Sequence, residues 1–191
     1  MKFRSDFVTN SSSSSFIVMF DEIPHSVDEL KQLLFSEKQL RYGCFSYDED
    51  LFDINTIAEI VFNDIEGQLD NRLTLEKIAE QFGNGATCKE DPEPDYYERS
   101  SRNSWASDAR YKKEYLKDPN GSATDWNNMD YEKYHKDHDA WRKRRAEALL
   151  KENEGKQIFY FHYGDDDGPL GAAMEHGDLF KNLKHIRFSQ H

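Results

Sequence analysis

The stretch from Gln157 to His191 constrains this chain more than any other. It holds two short apolar runs, Ile158–Tyr163 and His185–Phe188, rich in aromatic and β-branched residues and too short for helices. Both read as buried strands. A third run of the same kind, Phe16–Phe20, lies near the other end of the chain. The first and last of these runs can pair in one sheet, in an order that the sequence leaves open. With helical segments between them, the expected class is α+β: a small β-sheet of one N-terminal strand plus two C-terminal strands, packed with about four helices.

The helices announce themselves by periodicity and caps. Ser26 followed three residues later by Glu29 is a capping box, and Leu30, Leu33 and Leu34 then share a face. Ile54, Ile57, Ala58, Val61 and Ile65 recur at helical spacing, which predicts a helix from Asp53 to Glu66 ended by Gly67. A shorter helix is expected over Thr74–Phe82. A longer one is expected over Asp130–Glu154, where Tyr131, Tyr134, His138, Trp141, Arg145 and Ala148 form an aromatic seam. Between residues 83 and 128 the chain changes character. Breaker clusters such as Asp-Pro-Glu-Pro and Asp-Pro-Asn-Gly alternate with Tyr96, Tyr97, Trp105 and Trp126. Two readings stand side by side here. One is a surface excursion pinned to the body by its aromatics, the other a partner-binding arm using Tyr96, Tyr97, Trp105 and Trp126. A single domain over residues 1–191 accommodates either.

Charge excludes more than it identifies. A net charge of −12 disfavours direct binding to nucleic acid or an anionic membrane, since both reward positive charge. Arg142–Arg145 is a basic run within the long helix, but acids accompany it along the same helix. No run approaches the length of a membrane span, and Cys44 and Cys88 lack both a disulfide framework and metal spacing. These features predict a cytoplasmic protein with reduced thiols. Aromatic residues make up 14% of the chain against a total apolar share of 37%, so the core is expected to rest on rings.

The segment Asp6-Phe7-Val8-Thr9-Asn10, followed by Ser11–Ser15 and Phe16, reads locally as a polar tether before the first strand, or else as a backbone-rich loop for an anion or partner. As a string it resembles the opening of a group of bacteriophage and bacterial proteins that begin D/G-F-V-T/S-N-S-S-S-S-S-F. The tail, with Met174–Asp178 and His185–Arg187, is similar to endings in that group. Their acidic loop reads S-D-N-D-G, where this chain has Asp165-Asp166-Asp167-Gly168 after Gly164. The resemblance implies a phage or mobile-element origin and carries no activity.

Chemistry-bearing residues concentrate between the two C-terminal runs. Asp165, Asp167 and Glu175 would offer carboxylates to one divalent metal ion if the loop folded back, with His162 or His176 as nitrogen ligand or general base. By strand alternation His162 should face away from Phe161 and Tyr163. The plainer reading of Asp-Asp-Asp-Gly-Pro is turn chemistry after a strand. His135, His138 and Asp139 form a second candidate cluster, although His138 falls in the aromatic seam. An EF-hand is excluded by spacing, and no HExxH, CxxC or P-loop pattern occurs. Three functions follow as expectations. The first is an acidic protein that binds a host or defence protein. The second is a metal-dependent hydrolase of a phosphate-containing or nucleotide substrate. The third is a sponge for a small ligand.

Overall fold

The computed structural model describes residues 13–43, 51–70, 73–82, 87–88, 114–122 and 125–190. Its centre is strand β1, Ser13–Phe20, every residue of which after Ser13 is buried. It is flanked on both sides by antiparallel partners, β5 (Gln157–Gly164) and β6 (Lys184–Gln190). A two-residue strand β4, Thr87–Cys88, adds to the far side of β6, giving the order β4-β6-β1-β5. The expected α+β class and the three expected strands are thus present. β1 carries no polar alternation beyond its serines because both of its faces are covered.

Helices cover the two faces. On one lie α1 (Val27–Leu34), α2 (Ile54–Gln68) and α5 (Gly168–His176). Phe16, Val18 and Phe20 of β1 meet Leu30, Leu34, Ile57, Val61 and Ile65 there, together with Phe159, Phe161 and Met174. On the other face lie α3 (Leu75–Gln81) and α4 (Tyr131–Glu152). Ile17 and Met19 pack there with Ile78, Phe82, Trp141, Leu149 and Phe188. A two-residue ladder of β2 (Arg41–Tyr42) with β3 (Phe52–Asp53) stands beside α2.

Local chemistry explains where the helices start. Ser26 accepts from the Glu29 amide at 3.2 Å, and the Glu29 carboxylate accepts from the His25 amide at 2.8 Å, so the box closes one residue earlier than the simplest form. Asp53 caps α2, Thr74 caps α3 and Asp130 caps α4, each through its side chain. The helix α2 runs one residue past Gly67, the expected terminator, to Gln68. In α4 the buried residues are Tyr134, His138, Trp141, Ala146 and Leu149, so the seam turns onto Ala146 and not Ala148.

Two expectations are corrected. Ser13–Ser15 belong to β1 and are not tether, because both neighbours pair with them and the Ser14 and Ser15 hydroxyls find partners. Arg187 donates to Ser14 Oγ through Nε and Nη2 at 3.3 and 3.2 Å, and Ser15 Oγ lies 2.9 Å from the Tyr160 hydroxyl. Small hydroxyl side chains can therefore be buried at a strand end without an unmet polar group. The acidic segment after β5 is likewise no open loop. Asp165–Asp167 form a 3-10 turn that leads directly into α5, with Pro169 in the first helical turn, where its missing N–H costs nothing. Gly168 takes φ +77 at this junction, a value that glycine adopts without penalty. Gly171 is pressed so closely on the Gly164 carbonyl and the Asp167 side chain that a Cβ would collide with both.

Part of the 83–128 excursion is described. Tyr115 is buried against Tyr134 of α4, with ring centroids 5.4 Å apart in a T-shaped arrangement. The Leu116–Met129 bridge holds the two sides of this segment together. Tyr115 thus anchors this part of the segment on α4. Tyr96, Tyr97 and Trp105 lie outside the described residues.

Candidate functional site

The sequence candidates are dispersed. Asp167 stands exposed at the start of α5, whereas Glu175, eight residues further on the same helix, is fully enclosed. Eight residues of helix separate them by about 12 Å along the axis. They therefore cannot be first ligands of one ion, and a fold-back of this segment is replaced by a rigid helix. Asp165 sits in the 3-10 turn. His176 follows Glu175 at the end of α5, its Nε2 3.6 Å from the Glu175 carboxylate. His162 is exposed on β5, opposite in facing to buried Phe161 and Tyr163, as strand alternation requires. Its side chain shares the α3/α4 face with Ser15, while α5 packs on the other face through Met174. The sheet thus keeps the two candidate histidines apart.

The second cluster is also taken apart by packing. His138 is buried, stacked on Tyr134 at 5.8 Å and on Trp141 at 5.6 Å, while His135 leans on Tyr131 and Tyr134. Asp139 pairs with Arg142 instead. The aromatic-seam reading of His138 is the one its surroundings support. Among the described residues, no group of three or more His, Cys, Asp or Glu side chains is arranged to hold a metal ion. Trp126 belongs to a short 3-10 turn, Trp126–Asn128, ahead of α4.

What the fold does assemble is a cleft at the free edge of β5. Asn63, Asp64, Gly67 and Gln68 at the end of α2 form one wall, Leu73 and Lys77 of the α3 region another, and Tyr160, Phe161 and His162 the floor. Its volume is about 400 Å³. Gln68 closes part of the strand edge: its amide nitrogen donates to the Tyr160 carbonyl at 2.8 Å, and its amide oxygen accepts from the Tyr160 N–H at 2.9 Å. A side-chain amide here imitates a neighbouring strand, one way to satisfy an exposed edge.

Titratable groups surround this amide. Tyr163 donates to Asp64 Oδ2 at 3.0 Å. Burial pushes the Asp64 carboxyl above its ordinary 3.8, against the opposing pull of that hydrogen bond. Burial likewise pushes Tyr163 well above 10, with the Asp64 charge adding to it. On the floor, His162 Nδ1 lies 3.0 Å from Ser15 Oγ, which also meets the Tyr160 hydroxyl. Ser15 is only 3% exposed, so this serine–histidine contact orients the ring and does not present a nucleophile. Sequence reasoning singled out His162 but not Asp64, Gln68 or Lys77. The available signal was slight: polar residues at 63, 64 and 68 beside the apolar stripe of α2, with a glycine inside the helix.

No protein-family model matches the sequence, and neither a curated protein nor a solved structure matches it. Among the described residues no helix is long and apolar enough to cross a membrane.

Proposed function

We propose that this chain acts by capturing a partner with a basic surface. The resemblance of its serine block to phage and bacterial proteins points to a host or defence protein as that partner. One observation carries the reading: charge is polarised across the sheet. The described residues between 21 and 70, which supply α1 and α2 on one face, contain ten acids and three bases. The α4 segment on the opposite face contains five acids and seven bases. On the acidic side Asp28, Glu29, Asp53, Glu59, Glu66 and Asp70 are all exposed. A one-sided field of this kind steers a basic surface towards one face and repels acidic ones, including nucleic acid.

A metal-dependent hydrolase would need Asp165, Asp167 and Glu175 to converge, and the helix between Asp167 and Glu175 speaks against that arrangement. Capture is tested by neutralising the acidic face with Glu59→Gln, Glu66→Gln and Asp70→Asn, positions exposed to solvent. With the tagged full chain as bait in a bacterial lysate, the recovered partner should be lost in the triple variant and should weaken as salt rises, since screening acts over about 10 Å at 0.1 M. Equal recovery by parent and variant at every salt concentration would defeat charge-led capture.

A further inference from the structure

The cleft at the β5 edge has features that the capture of a large basic partner does not use. Lys77 lines it, and among the described residues no carboxylate lies within ion-pair distance of the Lys77 ammonium group. His162 lines the same space with its Nδ1 anchored on Ser15, which leaves Nε2 as the ring nitrogen a ligand can use. Lys77 and His162 thus bring two nitrogen-bearing side chains to one cleft of a chain whose net charge is −12. Across the cleft, the Asn63 amide and the Asp64 carboxyl offer hydrogen-bonding groups of the opposite kind.

Gly67 is the second observation. It lies inside α2, where glycine is a poor helix former, yet a Cβ there would meet no atom within 4 Å. Its φ is not positive and no neighbour presses on it, so the fold has no need of glycine at this position. What its missing side chain preserves is the open space of the cleft wall. The volume of about 400 Å³ falls within the range of small-molecule sites.

We infer that this cleft binds a small polar metabolite that carries an anionic group, phosphate or carboxylate, at one end and amino or hydroxyl donors at the other. The anion is held by Lys77 and His162, and the donors are received by Asn63 and Asp64. Gln68, bonded to Tyr160 and to the Asp64 carbonyl, keeps the α2 wall in register with the floor. Preformed placement of this kind lowers the ordering cost of binding.

The test uses the ¹⁵N-labelled full chain titrated with adenosine 5′-monophosphate for the phosphate source and glutamate for the carboxylate source, with adenosine as the uncharged control. The expected result is saturable shifts of the Gly67, Gln68, Lys77 and His162 amides with one of the two anions and none with adenosine. Lys77→Gln should weaken that binding about tenfold or more, as loss of a charged hydrogen bond implies. Gly67→Phe should abolish it while leaving the unfolding midpoint no lower than the parent's. Absence of saturable shifts at these amides with both anions overturns the inference. So does binding that neither substitution alters.

Discussion

Gln68→Ala tests the structure at its most specific point. The parent side chain satisfies both main-chain groups of Tyr160 on the outer edge of β5, at 2.8 and 2.9 Å. Each such bond contributes about 0.5–1.5 kcal/mol net, so the pair accounts for roughly 1–3 kcal/mol. Two effects reduce the loss. Water can enter the open cleft and rehydrate Tyr160, and alanine is the better helix former by a few tenths of a kcal/mol. The expected destabilisation is therefore about 1–2 kcal/mol, read as a fall of roughly 0.5 M in the urea midpoint for a slope at the upper end of the small-protein range. Hydrogen exchange of the Tyr160 amide should accelerate more than that of amides in β1, since the change is local. Gln68→Glu gives an internal check. It keeps the acceptor for the Tyr160 N–H but sets a carboxylate oxygen against the Tyr160 carbonyl. The neutral acid restores the donor, so the folded-state pKa of this new carboxyl is raised, and the variant regains stability as pH falls. If both variants unfold within about 0.5 kcal/mol of the parent and the Tyr160 amide exchanges at its parental rate, the strand-mimic role of Gln68 is wrong.

Asp64 has a folded-state pKa raised by burial above 3.8, so its contribution to stability is full below that value and lost as pH rises through the folded pKa. Asp64→Asn should accordingly gain on the parent as pH rises from about 3 and hold a constant advantage above the folded pKa; a difference that does not vary with pH would refute the assignment. Ile17→Ala empties a site with no exposure at the centre of β1 and should cost about 3–5 kcal/mol, with Ile17→Val costing about 1 kcal/mol, both measured by denaturant unfolding. Ser26→Ala removes the α1 cap and should cost about 1 kcal/mol; a loss below a few tenths would show that the capping bond is not maintained in solution.

The elements that could be read from the chain were those with a local cause. The cap at Ser26 depends on residues within one helical turn, and the apolar stripe of α2 depends only on spacing. The alternation that turns His162 away from Phe161 and Tyr163 follows from strand geometry. Asp-Asp-Asp-Gly-Pro predicts a turn after the strand, and Asp165–Asp167 form one. What that signal does not show is the helix that follows, where Pro169 in a first turn ahead of Leu170, Ala172, Ala173 and Met174 suits a helix that packs on the end of β5. Once that helix forms, Asp167 and Glu175 are held too far apart to share a ligand.

The sequence by itself determined the class of fold, the three main strands and the helices that cap themselves, because each is specified by neighbours a few residues away. It also determined the uneven charge, since acids are grouped in residues 21–70. Only the tertiary structure decided which faces the helices cover, and hence that this charge is one-sided. It alone placed Gln68 on Tyr160, a pair 92 residues apart, and opened a cleft with Asp64, Lys77 and His162 around them. Such a meeting depends on strand register and on how α2 and α3 lie at the sheet edge, and neither leaves a periodic trace in the chain.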